Sequence, residues 1–391
     1  MHRLLLFFLA ISVFIGCTAD RSENTADKKA AGTAQAQAGQ PEKTNAFLRL
    51  ELVQRTRLQT DGNGFIQIFT AIRYRTDRFF AMDGSTSDIQ VFSRHGDYLK
   101  TIRLEHQESN FTGYPTFILS ADGHFLVYSA KYKDSKVIEA DSTGKTVRIY
   151  SPHLGENKSQ TEISSPGLVA IKTEKGKRLF TKAFQWMPLD VILDSTLTIA
   201  AFNEDGELTR IFSPFHADYV TYNLFSWRDI DLAVHNSELF SLQAALPYVT
   251  VYDFDGVFKR AFGKNGTHHR AIVVEPDIWG SAPAQAAFWR KQTTYSRIRV
   301  ISSEEIPEPL VAVSYFNPAA KPVAGLQYFQ ELHDNYLQLY RLSGEPYHPD
   351  IKLPGRFHDF TEDGHLLLIE NLILSELTVG LYKLKWIQEN N

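Results

Sequence analysis

The chain has 391 residues, of which 43% are hydrophobic and 22% are charged, and its formal net charge is −4. This is ordinary globular composition with ample material for a core. The near-neutral charge and the lack of a basic stripe with interleaved aromatic residues argue against a nucleic-acid partner. Aromatic residues make up 13% of the chain, which favours sheet over helix.

The N-terminus has the pattern of a secretory signal. A basic start at Met1–Arg3 is followed by the apolar run Leu4–Ile15 and then by the small residue Gly16. The run is too short for a membrane span, which needs about 20 residues. Cys17 is the only cysteine, so neither a disulfide within the chain nor a cysteine-based metal site is expected.

The four residues Phe14-Ile15-Gly16-Cys17 resemble the bacterial lipobox. The resemblance implies that Cys17 is lipidated, becomes the mature N-terminus and holds the protein to a membrane. In enterobacterial lipoproteins an acidic residue after the cysteine retains the protein at the inner membrane. Neither Thr18 nor Ala19 is acidic, which favours the outer membrane of the cell envelope. The alternative is a plain signal peptide with an incidental cysteine.

Residues 18–44 contain no aromatic residue and no Leu, Ile or Val. Such a segment cannot bury enough apolar surface to order itself, so we expect a flexible tether. The sequence thus divides into a lipoprotein signal peptide (1–16), a lipidated cysteine with its tether (17–44) and a folded domain (45–391).

The folded domain repeats one hairpin. Its clearest copy is Pro247–Phe262, PYVTVYDFDGVFKRAF, in which two apolar runs flank a turn at Gly256. Five copies share a glycine in the turn, and these are Gly96, Gly144, Gly206, Gly256 and Gly344. Their spacings are 48, 62, 50 and 88 residues, and a unit recurring at roughly this period predicts a propeller or solenoid.

A second repeated sequence segment precedes the first hairpin in several repeats. Phe117–Tyr128 matches Phe360–Ile369, and Ile230–Phe240 is a looser copy. Each has a polar turn between two apolar runs, so each predicts a further hairpin. Two consecutive hairpins make a four-stranded antiparallel unit, which is the size of one propeller blade.

Counting these units predicts an all-β, six-bladed propeller. The last unit has three strands, predicted at Asp359–Asp363, His365–Glu370 and Leu377–Lys385, before the chain stops. We expect Phe47–Val53 to supply the missing fourth strand, because closure of the ring removes exposed sheet edges.

The longest spacing leaves a seven-bladed ring open as an alternative. We interpret it instead as a short helical insertion at Asp277–Gln292, followed by the inner strands of blade five at Ile298–Ser302 and Leu310–Phe316.

With its lipobox, its V-x-V-[FY]-D-x-x-G hairpins and its terminal strand exchange, the chain resembles the six-bladed propeller lipoproteins of the TolB-like and NHL-like kind from Bacteroidetes. The resemblance covers residues 45–391 and implies architecture. Members of that group are mostly without an assigned activity, so the resemblance implies no catalytic residue and no cofactor.

Two segments at the predicted starts of innermost strands carry candidate channel residues. They are Arg228 and Asp229 in one blade, and Arg356, His358 and Asp359 in the last. The innermost strand starts ring the channel of a propeller, so these side chains are candidate ligand contacts. The alternative is that Arg–Asp pairs between blades satisfy buried charges.

His268 and His269 are candidates for a metal or anion site in a loop. No third ligand is placed by spacing, and the alternative is a solvated loop between blades. Asp122, Asp205, Asp253 and Asp363 precede or begin tight turns, where aspartate is structural. The sequence contains neither a calcium loop nor a phosphate loop nor a hydrolase motif, and we predict no metal or cofactor.

The leading functional hypothesis is a lipid-anchored envelope module that binds a protein or a small ligand through its loops. A second hypothesis is a metal-dependent enzyme of the lactonase or lyase kind with its site in the channel. It would use Asp229, His358 and Asp359, with His268 or His269. A third is a passive structural lipoprotein.

Overall fold

The computed structural model describes residues 46–60, 62–67, 69–105, 116–120, 122–129, 136–150, 161–174, 176–185, 196–222, 224, 229–270, 287, 290–319, 333–373 and 377–388. All of them lie in one unit, Asn45–Asn391. The predicted signal, the lipidation site and almost all of the proposed helical insertion lie outside the described residues.

Six four-stranded antiparallel sheets follow one another along the chain. The chain enters through β1 (Ala46–Arg57). Blade one contains β2 (Phe69–Arg75), β3 (Arg78–Asp83), β4 (Ile89–Ser93) and β5 (Tyr98–Ile102). Blade two contains β6 (Thr116–Leu119), β7 (Phe125–Ser129), β8 (Lys136–Ala140) and β9 (Thr146–Tyr150). Blade three contains β10 (Thr161–Thr173), β11 (Gly176–Gln185), β12 (Leu197–Phe202) and β13 (Leu208–Pro214).

The remaining blades follow the same plan. Blade four contains β14 (Ile230–His235), β15 (Glu238–Gln243), β16 (Val249–Asp253) and β17 (Phe258–Phe262). Blade five contains β18 (Thr294–Ile301), β19 (Leu310–Asn317), β20 (Asp334–Arg341) and β21 (Pro346–Leu353). Blade six contains β22 (Arg356–Phe360), β23 (Leu366–Asn371), β24 (Thr378–Gln388) and, as its outermost strand, β1. The described helices are α1 (Ala217–Thr221) and a 3-10 turn at Gly62–Gly64. No described helix has the length and apolarity to cross a bilayer.

The ring closes where the two ends of the domain pair. β1 runs antiparallel to β24, with Leu48 opposite Trp386 and Leu50 opposite Leu384. Leu48 is buried in the cluster between blades five and six, so closure is held by side chains as well as by the ladder. The expected supply of a fourth strand from the N-terminal segment is confirmed.

The six-blade count is confirmed, and the longest spacing holds no seventh blade among the described strands. The predicted bounds of the last blade's first strand are wrong. The strand is Arg356–Phe360 rather than Asp359–Asp363. The residues after Phe360 instead form a turn, in which the Gly364 N–H donates to the Thr361 carbonyl.

Hydrophobic side chains fill every interface between neighbouring blades. The described residues form buried clusters at all six interfaces, and each of these clusters contains residues from two adjacent blades. Between blades six and one, for example, Phe79 and Phe92 pack with Leu367 and Leu381. Because each sheet has apolar residues on both faces, the core is a ring of six layers around a central axis. The axis itself is left to the edges of the innermost strands.

Candidate functional site

The six innermost strands are β2, β6, β10, β14, β18 and β22, and they surround the central channel. Each blade has the same strand order, so these strands all run in the same direction. A cavity of about 260 Å³ lies at their carboxyl ends. Every innermost strand contributes to this carboxyl-end cavity, through residues that include Arg73, Leu119, Val169, Leu232, Arg299 and Asp359.

Largely buried charged side chains from four blades form a cluster here, of which Arg73, Arg299 and Asp359 line this cavity. The Arg299 Nε donates to Asp359 Oδ1 at 2.7 Å, and its Nη1 donates to Asp231 Oδ2 at 2.8 Å. The Arg73 Nε lies 3.0 Å from the other oxygen of Asp359. We call these four residues the axial charge cluster. Two guanidinium groups therefore share the single carboxylate of Asp359.

The pKa shifts in this cluster follow from burial and from the neighbouring charges. Burial lowers the pKa of Arg73 to about 10, against the attraction of Asp359. Burial also acts to raise the pKa of Asp359, but Arg73 and Arg299 outweigh it and hold that pKa below its usual range. Burial together with the neighbouring Arg299 and Arg297 thus disfavours the charged form of Arg73 more than Asp359 favours it.

His358 lies beside the cluster but has a structural contact. Its Nε2 accepts the Ile72 N–H at 3.1 Å, which ties blade six to blade one. Its side chain is buried, and burial together with the nearby arginines, Arg73 first, holds its pKa well below the ordinary value. The ring is therefore a neutral acceptor. Asp231 makes the corresponding tie by accepting the Ile298 N–H at 2.9 Å.

A second cavity, of about 290 Å³, lies at the amino ends of innermost strands β14, β18 and β22. Asp229, Arg297 and Arg356 line this amino-end cavity. Asp229 accepts from the buried Lys182 Nζ at 2.5 Å, and the Arg356 guanidinium lies 5.9 Å from the Phe316 ring centre. Arg228 lies outside the described residues.

His268 and His269 pack against the tyrosines of blade five. The His268 ring stacks on Tyr336 with ring centres 4.4 Å apart. The His269 Nδ1 is 3.2 Å from the Tyr295 hydroxyl, and burial lowers the pKa of His269. Neither histidine lines the carboxyl-end or the amino-end cavity, so the structure does not bring them together with Asp229, His358 and Asp359.

One group of described residues has the ligand types of a metal site. Asp122, His124 and Glu139 have ligand atoms within 4.8 Å of one another. The Lys177 Nζ lies 2.6 Å from Glu139 Oε1, and the Tyr150 hydroxyl donates to the other oxygen at 2.8 Å. An ammonium group thus already supplies the positive charge that a metal would bring, and the group lies outside both cavities.

The donor set of the carboxyl-end cavity is unsuited to a divalent cation. Its lining carboxylates are Asp359 and Glu362. Guanidinium groups lie against both oxygens of Asp359, and the Arg75 Nε lies 3.0 Å from Glu362 Oε1. Like charges repel, so these arginines disfavour a metal ion at the carboxylates.

Sequence reasoning missed Arg73, Asp231 and Arg299. The sequence did indicate two of them, because Arg299 lies in a segment predicted as an inner strand of blade five and Asp231 lies in the repeated segment Ile230–Phe240. A charged residue inside an otherwise apolar innermost strand must find a partner or solvent. Their partners could not be named, since they come from other blades.

No protein-family model matches the chain, and no curated protein sequence matches it. Among solved structures, a member of the DUF4221 family from Bacteroides vulgatus aligns with a TM-score of 0.59 at 13% identity, over 88% of this chain and 100% of that one. A suspected exported protein from Bacteroides fragilis aligns with a TM-score of 0.49 at 11% identity, over 87% and 96%. The first likeness supports the six-bladed propeller fold and, at this identity, the fold alone.

Proposed function

We propose that this protein is a lipid-anchored binding module of the bacterial cell envelope, and that it takes a small ligand in its carboxyl-end cavity. The observation that carries the proposal is the cavity itself, since all six innermost strands contribute to it. A cavity on the axis of a closed ring is preorganised, because the blades fix the positions of its polar groups. Preorganised concave sites with few charged groups are typical of small-molecule binding.

The anchor comes from the sequence. Cys17 follows a short apolar signal and precedes a tether of polar and small residues up to position 44. One acyl chain gives only marginal membrane binding, and stable anchoring takes a second signal. In this proposal the tether presents the propeller at the outer membrane.

The anchor is tested by fractionation of cells that express the full chain. Cys17→Ala should abolish metabolic labelling with a fatty acid and release the protein from the membrane fraction. Thr18→Ala is the matched control and should leave both unchanged. Membrane retention with unchanged labelling in the Cys17→Ala variant would contradict the lipid anchor.

Ligand binding is tested by thermal unfolding of the purified full chain with a mixed panel of small anions, cations, sugars and neutral amides. A ligand that binds only the folded state raises the melting temperature in a saturable, concentration-dependent manner. At least one class should do so. If none does, the binding-module proposal is wrong.

A further inference from the structure

The carboxyl-end cavity has two chemically different halves. Blades two, three and four contribute apolar residues, among them the partly exposed Leu119, Val169 and Val234. Blades five, six and one contribute the charged ones, which are Arg299, Asp359, Glu362, Arg73 and Arg75. A ligand that fills the cavity therefore meets hydrocarbon on one side and arginines with their paired carboxylates on the other.

Both buried guanidinium groups retain donors that the protein does not use. The Arg73 Nε pairs with Asp359, and its Nη1 donates to the Ile72 carbonyl at 2.8 Å. The Arg299 Nε and Nη1 pair with Asp359 and Asp231. Within the described residues neither Nη2 donates a hydrogen bond, and neither is sealed from solvent as a buried unsatisfied atom. Because a guanidinium group has five N–H donors, each arginine can still bind an acceptor in the cavity.

The formal charges of the axial charge cluster balance, with two arginines and two aspartates, but they are unevenly paired. Arg299 contacts both Asp359 and Asp231, whereas Arg73 shares Asp359 with Arg299 and has Arg299 and Arg297 as like-charged neighbours. An anion near Arg73 gains from this arrangement, since the interaction is strong where water is excluded.

We propose that the carboxyl-end cavity binds a small amphipathic anion, whose carboxylate or phosphate group accepts hydrogen bonds from the Nη2 atoms of Arg73 and Arg299 and whose aliphatic part lies against blades two to four. This rests on the proposed binding function and specifies its ligand class. The planar fork of a guanidinium group suits carboxylate and phosphate oxygens. A volume of about 260 Å³ equals that of about nine water molecules at ~30 Å³ each, which suits a short-chain organic acid.

The test is a titration of the purified full chain with hexanoate at constant ionic strength, with hexanamide and inorganic phosphate as comparison ligands. Hexanoate should bind with a Kd below about 1 mM, and hexanamide should not bind measurably. Inorganic phosphate should bind more weakly than hexanoate, because it lacks the aliphatic part. No saturation by hexanoate in folded protein, or equal binding of hexanamide, overturns the inference.

Variants assign the site. Arg73→Gln and Arg299→Gln should each weaken hexanoate binding by about 30-fold or more, since each removes a buried charged donor. Arg94→Gln, a surface arginine paired with Asp77, is the matched control and should bind like the wild type. Wild-type affinity in both Arg73→Gln and Arg299→Gln overturns the inference.

Folding of every variant is checked by circular dichroism. Asp359→Asn should change the affinity for hexanoate in the opposite direction to the arginine variants. Removal of the competing carboxylate should tighten hexanoate binding, whereas a merely damaged site would bind less. Weaker binding by folded Asp359→Asn overturns the inference. If the panel described above stabilises the protein only with cations or sugars, the binding function stands and the anion assignment fails, so the two failures are distinguishable.

Discussion

Gly144→Ala should destabilise the propeller by about 3 kcal/mol, because the glycine fills a position that tolerates no side chain. Gly144 lies in the turn between β8 and β9 with φ +95°, a conformation that costs an L-residue about 1–2 kcal/mol. A Cβ there would overlap the Arg103 carbonyl oxygen and lie 2.9 Å from its carbon and 3.1 Å from Ile102 Cγ2. Overpacking of this kind adds about 1–3 kcal/mol. The loss of unfolded-state freedom offsets about 0.4–1 kcal/mol of the total.

The same blade provides a matched control in Gly123→Ala. Gly123 lies in the turn between β6 and β7 with φ +83°, and its N–H donates to a carbonyl three residues back, as the Gly144 N–H does. A Cβ at Gly123 meets nothing within 4 Å. This variant therefore bears the backbone strain without the overlap, and we expect a loss of about 1 kcal/mol.

The assay is equilibrium unfolding in urea, followed by tryptophan fluorescence, with both variants compared at the same pH. The difference between the two variants isolates the packing of the blade-two turn against the chain segment that leaves blade one. Equal stabilities, within about 0.5 kcal/mol, would refute the argument that inter-blade contact requires glycine at position 144.

Four further outcomes follow from individual contacts. Leu48→Ala should cost about 2–5 kcal/mol in urea unfolding, because Leu48 is buried where the ring closes. Asp231→Asn should cost about 3–5 kcal/mol in the same assay, because it leaves the buried Arg299 with one partner fewer. Burial acts to raise the pKa of Glu139, but hydrogen bonds with Lys177, His124 and Tyr150 outweigh it and hold that pKa below its ordinary value. Its stabilising effect is therefore present above the unfolded-state pKa of about 4.5 and is lost as the pH falls through the lower folded-state pKa. Glu139→Gln should flatten the pH dependence of stability in that acidic window. Lys177→Met should allow the group around Glu139 to bind Zn²⁺, measured by calorimetry, whereas the wild type should not.

Leu48→Ala has a control variant, and two of the other predictions have a defined contrary outcome. An exposed leucine, Leu99, should tolerate alanine with little change, and an equal loss at positions 48 and 99 would contradict the closure argument. Wild-type stability in Asp231→Asn would contradict the view that the contact of Arg299 with Asp231 stabilises the fold. Stoichiometric Zn²⁺ binding by the wild type would contradict the view that the ammonium group of Lys177 replaces a metal.

The repeated hairpins could be predicted from the sequence because each one is determined by residues that are close together in the chain. The turn glycines Gly96, Gly144, Gly206, Gly256 and Gly344 all have positive φ and all lie between the third and fourth strands of a blade. A turn depends on four or five neighbouring residues, so its chemistry is visible in a short stretch of chain. The apolar alternation on either side of each glycine then specifies the strands.

Ring closure could also be predicted from the sequence, for a related reason. A last unit with three strands and a leading segment with one must combine, or both would leave an open edge. The pairing of β1 with β24 follows from counting strands, whereas its register, with Leu50 opposite Leu384, came from the structure.

Which charged residues meet in the candidate site could be learned only from the tertiary structure. Asp231, Arg299, Asp359 and Arg73 come from four different blades, and the chain between the first and last of them spans most of the domain. Their pairing depends on which inward positions of neighbouring innermost strands lie at the same height along the axis. Strand twist and small bulges, such as the register shift between Phe357 and Asp359, decide that height. A one-residue shift turns a side chain from the channel to the core, so the sequence determined the ring and only the folded ring determined which charges meet on its axis.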